Sequence, residues 1–400
     1  MSNLTKGNNI SISTVRNAVV KESPVLLPGW PNCSSLPDRL PDGPYAIAND
    51  WISAGLPPVI IVFGVFGNLL TIIVLNRSSK KLSSTTLYLV CLAISDMVFL
   101  LNGPLRQWIR HTWEYDIRGL NEIFCKFTVW LTYGTLQFSS WSLVALTVER
   151  VVSVLWPHKV RTRCTTFLSK VVVTIQFVSI FGLNSHWFYG LGTSKLEYYA
   201  VKTCMPLYDE YSYFFHHIWH WINFVVAFAV PFIILVIGNS IIIFKLKSSE
   251  EKRNQMSVMQ TKGKLLKAEK EKKTLTIVLI SLNAVFFLSQ TPMSVYYIYI
   301  PYGIAKVNEL ACDNYTEYKN QAEIIWLCYN VVNILAYMNA TLNFVLYIIS
   351  GSRFRAEIIA LFRCQGTRSI GVFETSASVR NGRNGSIAEK ATVSTICTTE

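Results

Sequence analysis

Seven long apolar stretches run through the chain, and they constrain its fold more than any other feature. Each is long enough for a helix to cross a bilayer, which takes about 20 residues. The predicted spans are 52–76, 85–107, 123–149, 168–190, 217–245, 274–300 and 322–349. Of the 400 residues, 51% are hydrophobic and 15% are charged, whereas a soluble domain has about 25% charged residues. The sequence therefore predicts an all-α membrane protein, a bundle of seven transmembrane helices.

The loops between these spans differ in basic residues, and this difference predicts the orientation. Lys and Arg are concentrated after the odd-numbered spans, and such loops usually stay in the cytoplasm. The N-terminus is therefore expected outside the cell. Glycosylation sequons in residues 1–50 agree, with acceptors at Asn3, Asn9 and Asn32. The net charge of +13 comes largely from the basic loops on the expected cytoplasmic side. Attraction of these loops to anionic lipid of the inner leaflet explains the charge, so no nucleic-acid partner is expected.

Ionisable residues lie within the apolar spans, where lipid makes them costly. Asp96 lies in the second predicted span, and Glu149 and Arg150 close the third. Such residues usually face the bundle interior and serve a function. We therefore expect them to be parts of a transmembrane switch.

Short motifs follow one another along the chain in the order, spacing and depth of one receptor family. They are Gly67-Asn68, Leu92-Ala93-Ile94-Ser95-Asp96, Glu149-Arg150-Val151, Pro231, Phe286 with Pro292, and Asn343-Phe344-Val345-Leu346-Tyr347. The chain resembles rhodopsin-like (class A) G protein-coupled receptors over roughly residues 50–365, and it is similar to invertebrate neuropeptide receptors.

The resemblance implies a division of the chain into four parts. Residues 1–50 are expected to form the extracellular glycosylated N-terminus and 51–350 the bundle. A short amphipathic eighth helix is expected over 351–365 on the cytoplasmic side, and a disordered cytoplasmic tail over 366–400. The tail has too little apolar surface to fold. The protein is thus expected to be a multi-pass protein of the plasma membrane.

A polar core is implied in the middle of the bundle, where the family holds a sodium ion. Its members are Asn68, Asp96, Ser139, Asn339 and Asn343. One carboxylate surrounded by hydroxyl and amide oxygens suits a small hard cation. The alternative is a hydrogen-bonded network that only packs the helices. Apart from this sodium ion at Asp96, no metal and no cofactor is expected.

A second implied site lies at the cytoplasmic end and couples to the G protein. Arg150 is expected to turn toward the G protein in the active form, and Glu149 to hold it at rest. Tyr347 and Asn239 complete this switch, although Asn239 stands where the family usually has tyrosine. The alternative for Arg150 is an interfacial arginine that reaches lipid phosphate.

An activation region is implied between these two sites. It comprises Pro231 in the fifth span, with Phe286, Gln290 and Pro292 in the sixth. Gln290 replaces the family's tryptophan, and Phe344 replaces the proline of the seventh span. A helix without that proline is expected to be stiffer.

Cysteines on the expected extracellular side indicate disulfides, because that side is oxidising. Cys125 and Cys204 are expected to tie the second extracellular loop across the bundle mouth. Cys33 and Cys312 are candidates for a second bridge, although sequence does not fix connectivity. Cys364 follows the eighth-helix segment and is a candidate for palmitoylation, or else a free thiol.

The ligand class is narrowed by two substitutions. Thr132 stands where amine receptors carry aspartate, and Tyr337 where opsins carry the retinal lysine. Acids beside aromatics in the loops suit a cationic ligand, and a short amidated neuropeptide with a basic C-terminus is the predicted class. The alternative is an interfacial aromatic belt with solvated acids. The candidate pocket residues are Thr132, Gln290, Tyr337, Trp113, Tyr208 and Asp209.

The expected partners are a peptide ligand, a heterotrimeric G protein, arrestin, receptor kinases and membrane lipid. The sequence has no metal cluster, nucleophile elbow or phosphate loop, so no enzyme is predicted. Three alternatives stay open: a receptor for a non-peptide chemosensory ligand, a membrane transporter, and a seven-helix binder that does not signal.

Overall fold

The computed structural model describes residues 44–78, 83–113, 115–195, 202–255, 262–350 and 352–363. Within these residues, seven helices are long and apolar enough to cross a membrane. They are Tyr45–Arg77, Ser84–Trp113, Glu122–Leu155, Thr166–Gly190, Asp209–Ser248, Thr276–Val307 and Thr316–Ile349, called the first to seventh spans below. The predicted seven-helix architecture is therefore confirmed.

The helices continue past the apolar segments that predicted them. The first begins at Pro44 rather than near residue 52. A helix satisfies its own backbone hydrogen bonds, so it can continue beyond the hydrocarbon core. Its ends are therefore hard to locate from the apolar residues of the sequence. The long helices are Pro44–Ser78, Ser84–Trp113, Glu122–Leu155, Thr166–Leu183, Lys262–Asp313 and Tyr315–Ser350. The short ones are the α-helices Val160–Arg163 and Trp187–Gly190, and the 3₁₀-helices Ile117–Gly119, Pro157–Lys159 and Asn184–His186.

The fifth span alternates between α-helical and wider π-helical turns. Its segments are Asp209–Tyr213 (α), Phe214–Trp219 (π), His220–Asn223 (α), Phe224–Ala229 (π) and Val230–Gln255 (α). Pro231 follows the second π-helical segment. Proline has no N–H to donate and its ring crowds the preceding turn, so a widened turn before it relieves the conflict. Such turns often lie near functional sites.

A short helix, Ser352–Phe362, follows the seventh span. Its buried Phe354 lies against the rings of Phe344 and Tyr347, with ring centroids 6.1 and 5.7 Å away. This contact anchors the short helix to the end of the seventh span.

A β-hairpin covers one end of the bundle, called the hairpin end below. Strand β1 (Leu191–Lys195) pairs antiparallel with β2 (Lys202–Pro206). A disulfide joins Cys125, in the third span, to Cys204 in β2, with a Cα–Cα distance of 5.4 Å. This confirms the predicted bridge. The predicted pair of Cys33 and Cys312, the acceptors Asn3, Asn9 and Asn32, and Cys364 lie outside the residues or side chains that the structure describes.

Buried apolar side chains fill the space between the spans, while large apolar side chains cover the outside. Leu143, Leu282 and Phe286 are at most 2% exposed in the largest core cluster. Outer residues such as Phe244 and Leu288 are 74% and 68% exposed. An outer surface of this kind matches the hydrocarbon of a bilayer, whose thickness the helices can span.

Candidate functional site

A buried carboxylate joins three spans in the middle of the bundle. Asp96, 2% exposed, accepts a hydrogen bond from Ser139 Oγ at 2.8 Å on Oδ1 and one from Asn343 Nδ2 at 2.5 Å on Oδ2. These contacts connect the second span to the third and seventh. A carboxylate in a low-dielectric interior is costly without such donors, so the contacts favour one arrangement of the three helices.

The two other predicted members of the polar core lie in the same region without bonding to Asp96. Asn68, 1% exposed, donates from Nδ2 to the carbonyl oxygens of Gly64 and Ala340, both at 2.9 Å. Asn339 is buried, and its Oδ1 has no hydrogen-bond partner within the described residues. The side-chain oxygen of Asn343 is also buried without a partner there. Amide oxygens are therefore available beside the carboxylate.

A threonine hydroxyl links the two charged residues at the opposite end of the third span. Thr85 Oγ1 donates to Glu149 Oε1 at 2.6 Å and accepts from Arg150 Nη2 at 2.6 Å. Ser84 Oγ also donates to Glu149 Oε1, at 2.9 Å. Arg150 is thus held against the second span through Thr85, and the charge of Glu149 also acts on it directly.

The two remaining switch residues lie apart from this contact. Tyr347 is buried, and its hydroxyl has no hydrogen-bond partner within the described part of the chain. Asn239, half-buried in the fifth span, has a side-chain oxygen that likewise lacks one there. The structure therefore brings Glu149 and Arg150 together through Thr85, but it joins neither to Tyr347 nor to Asn239.

The predicted activation region is an aromatic layer with one polar side chain. Phe286, 1% exposed, lies 6.4 Å from the ring of Phe228 in the fifth span. Gln290 is 5% exposed, and its Nε2 has no hydrogen-bond partner among the described residues. Pro231 is buried and Pro292 half-buried beside this layer in their spans. An unpaired buried amide costs free energy, so a movement that gives Gln290 a partner is favoured.

Two of the candidate pocket residues lie in hydrogen-bond networks between spans. Thr132 Oγ1 donates to the carbonyl of Thr128 at 2.8 Å and accepts from Asn102 Nδ2 at 2.5 Å. Tyr337 donates from its hydroxyl to Gln107 Oε1 at 2.9 Å. The network continues from Gln107 through Asn330 to Asn49 in the first span. These residues connect the first, second, third and seventh spans.

The other candidate pocket residues lie at the surface. Tyr208 and Asp209 line an open cleft of ≈ 680 Å³ beside the hairpin, and Tyr208 stacks on Tyr189 with ring centroids 5.4 Å apart. Trp113 is 59% exposed and pairs with Trp108 at 5.0 Å. The structure therefore separates the predicted pocket residues into an inner group and a peripheral group.

An ion-pair cluster at the hairpin end was not predicted as a site. Asp116 accepts hydrogen bonds from Arg106 Nη1 at 3.1 Å and from Arg118 Nη2 at 2.8 Å. Burial alone raises the pKa of Asp116, but the charges of Arg118 and Arg106 outweigh it and hold this pKa well below its usual range. Burial likewise lowers the pKa of Arg118, but Asp116 raises it overall. Asp116 is thus an ionised, paired carboxylate.

A second set of polar residues that sequence reasoning missed links the third, fourth and fifth spans. Gln137, 0% exposed, donates from Nε2 to Asn223 Oδ1 at 3.0 Å and accepts from Asn184 Nδ2 at 2.7 Å. Asn223 directly precedes the second π-helical segment. A neutral polar residue in an apolar run is the only sequence signal for such a contact, and it does not identify the partner.

The class of protein follows from the fold, the central carboxylate and the arginine that closes the third span. The chain belongs to the family described as 7 transmembrane receptor (rhodopsin family), which matches residues 67–347. It is therefore a multi-pass membrane receptor of the plasma membrane and not an enzyme, as predicted.

Two curated relatives have names that specify a receptor type within such a class. A probable C-C chemokine receptor type 3 of Mus musculus is 24% identical over 317 residues, which cover 78% of this chain and 79% of the relative. The C-C chemokine receptor type 3 of Cavia porcellus is 25% identical over 308 residues, 74% of each chain. Both are named as chemokine receptors.

Proposed function

We propose that the protein is a receptor for an extracellular peptide, most simply a short neuropeptide, and that it activates heterotrimeric G proteins. The observation that carries this proposal is the contact of Arg150 with Thr85, at 2.6 Å. A guanidinium that donates to a hydroxyl on another span loses that hydrogen bond when the two helices move apart. It then offers a fork of N–H donors to a partner's backbone or carboxylate.

A ligand acts in this scheme by binding one arrangement of the spans better than another. The disulfide between Cys125 and Cys204 fixes the hairpin over the hairpin end, so the ligand meets a preformed mouth. Movement of the seventh span changes the bond from Asn343 to Asp96, because the two residues lie on different helices. The central carboxylate thereby couples the mouth to the end where Arg150 lies.

A sodium ion fits the polar core and forms part of the proposal. Asp96 and Ser139 supply a carboxylate and a hydroxyl, and the unbonded amide oxygens of Asn339 and Asn343 are buried beside them. Oxygen donors of this kind suit a hard cation. Bound there, the ion would supply positive charge that stabilises the resting arrangement around Asp96.

The remaining features of the proposal follow from the orientation. The N-terminus, with Asn3, Asn9 and Asn32, is placed outside the cell by the basic loops on the other side. The cytoplasmic partners proposed are a G protein, receptor kinases, arrestin and anionic lipid, with Cys364 as a palmitoylation site. A bridge from Cys33 to Cys312 is proposed in addition to the one described above.

The test uses cells that express the full chain with a promiscuous G protein. A peptide library is screened for calcium responses, and each active peptide is then applied to Arg150→Ala at equal surface expression. We expect the variant to lose the response. The matched control is Arg163→Ala, because Arg163 is an exposed arginine at the end of the short helix Val160–Arg163, which follows the same span. Peptide responses that survive in Arg150→Ala would contradict the proposed coupling.

A further inference from the structure

Asp116 has no capacity left for another cation. Besides the bonds to Arg106 Nη1 and Arg118 Nη2, its Oδ1 accepts from the backbone N–H of Arg118 at 3.0 Å and from Nε at 3.3 Å. Four donors therefore meet its two oxygens, which is about what an ionised carboxylate accepts. The acid is a fixed part of the fold rather than a free binding group.

A third arginine lies near this pair in the second span. Arg110 follows Arg106 by four residues in the second span, so both lie on one helix face. It interacts electrostatically with Arg106, Arg118 and Asp116. Within the described part of the chain it makes no hydrogen bond and no ion pair. Among the described residues, three guanidinium groups therefore share one carboxylate, which neutralises one of their three positive charges.

Three other described acids at this end have partners or positions of their own. Glu122 pairs with Lys126 at 3.4 Å, and Glu323 with Lys319 at 3.9 Å. Asp209 is exposed in the cleft beside the hairpin and belongs to the fifth span. Unpaired cations in a half-buried mouth repel one another more strongly than in water, so an anion is favoured there.

Tyrosine side chains surround the same arginines. Arg118 interacts electrostatically with Tyr133 of the third span and Tyr329 of the seventh, and Arg110 also interacts with Tyr329. The rings of Tyr297 and Tyr329 lie 6.5 Å apart. The arginine cluster therefore lies near tyrosines of the third and seventh spans, whose rings and hydroxyl groups are available to a bound molecule.

We propose that Arg110, assisted by Arg106 and Arg118, binds a carboxylate group of the activating ligand, and that the adjacent aromatic or apolar part of the ligand packs against Tyr133 and Tyr329. A planar guanidinium offers two parallel N–H donors that match the two oxygens of a carboxylate. The proposal rests on the receptor function proposed above. It adds that the end of the ligand that reaches Arg110 is negatively charged. It departs from the amidated C-terminus expected from the sequence.

The first experiment uses the purified full-length receptor in lipid nanodiscs. Phenylacetate is the probe, and the uncharged phenylacetamide is its matched analogue, both at constant ionic strength. We expect phenylacetate to raise the unfolding temperature in a saturable way and phenylacetamide to have no effect. Arg110→Gln should weaken phenylacetate binding about 10- to 100-fold, since a hydrogen-bonded charge is lost. Arg110→Lys should retain part of the binding, because the charge remains without the fork.

The matched control is Lys306→Gln, which removes an equal charge from an exposed position near the end of the sixth span. It should leave phenylacetate binding unchanged. The proposal is overturned if millimolar phenylacetate gives no saturable shift, if phenylacetamide acts equally well, or if Arg110→Gln binds phenylacetate as the wild-type chain does.

The second experiment separates this proposal from the receptor function. Each peptide of the calcium screen is made with a free C-terminal carboxylate and with an amide. A carboxylate agonist whose potency falls in Arg110→Gln but not in Lys306→Gln supports the site. An agonist with unchanged potency in Arg110→Gln overturns the carboxylate site and leaves the receptor function standing. Phenylacetate binding through Arg110 without any peptide response supports the site and counts against peptide signalling.

Discussion

The Thr85 hydroxyl contacts both Glu149 and Arg150, and its removal tests the proposed resting state. The hydroxyl donates to Glu149 Oε1 and accepts from Arg150 Nη2, both at 2.6 Å. Thr85→Val keeps the branched shape and deletes only the hydroxyl. In the proposed resting state the Thr85 hydroxyl accepts from Arg150, and in the active state it does not. Its loss therefore destabilises the resting state relative to the active one, and we expect the variant to signal more strongly without agonist.

The size of the effect follows from the kind of hydrogen bond that is lost. A hydrogen bond to a charged group contributes about 1.5–3 kcal/mol, and each 1.4 kcal/mol is a tenfold change in an equilibrium constant. The active population should therefore gain a factor of roughly 10 to 100 relative to the resting one. Starting from about 1% active receptor, this gives roughly 10–50% in the variant.

The assay is agonist-independent nucleotide exchange on the G protein in membranes with equal receptor at the surface. Thr85→Ser is the matched control, since it retains the hydroxyl and should keep basal exchange near the wild-type level. If Thr85→Val and Thr85→Ser both show wild-type basal exchange, Thr85 does not restrain Arg150 and the proposed resting contact is wrong.

Three further predictions concern the core, the hairpin and the ion-pair cluster. Replacing choline by sodium should weaken agonist binding to the wild-type chain but not to Asp96→Asn; an equal salt effect in competition binding would count against the sodium site. Cys125→Ser and the double variant with Cys204→Ser should lose the same stability, about 2–4 kcal/mol, and surface display should fall equally in both. The pKa of Asp116 in the folded chain lies below the ordinary value of about 3.9, so its ion pair with Arg118 stabilises the fold above that pH and is lost as pH falls through the lower pKa. Asp116→Asn should therefore lower the thermal unfolding temperature at neutral pH, by an amount that shrinks below about pH 4; a constant difference would contradict this sign.

The seven spans were predictable because lipid imposes one strong requirement on every residue that faces it. Mean hydropathy over about 20 residues detects that requirement without knowledge of any contact. The Asp96 contacts were predictable for a related reason, since a carboxylate in hydrocarbon needs donors and few are present at that depth. Of the four predicted partners, Ser139 and Asn343 bond to it, and Asn68 and Asn339 do not.

Contacts that depend on helix rotation or on a loop turn were not predictable in the same way. Thr85 lies among other hydroxyl residues at the start of the second span, and nothing in that run marks the one that reaches Arg150. Arg118 reaches Asp116 because the 3₁₀ turn Ile117–Gly119 folds it back onto the acid that caps this turn.

Phe344 shows how a departure from the family pattern is compensated by a neighbour. A Cβ atom on Gly67 would lie 2.7 Å from the ring of Phe344, so the glycine makes room for this side chain between the first and seventh spans. Without a proline, the helix Tyr315–Ser350 continues unbroken past Asn343. Kinks in long helices usually need proline or a similar interruption, so we expect this span to move as one rigid unit. A displacement at the hairpin end therefore reaches the bond between Asn343 and Asp96 directly.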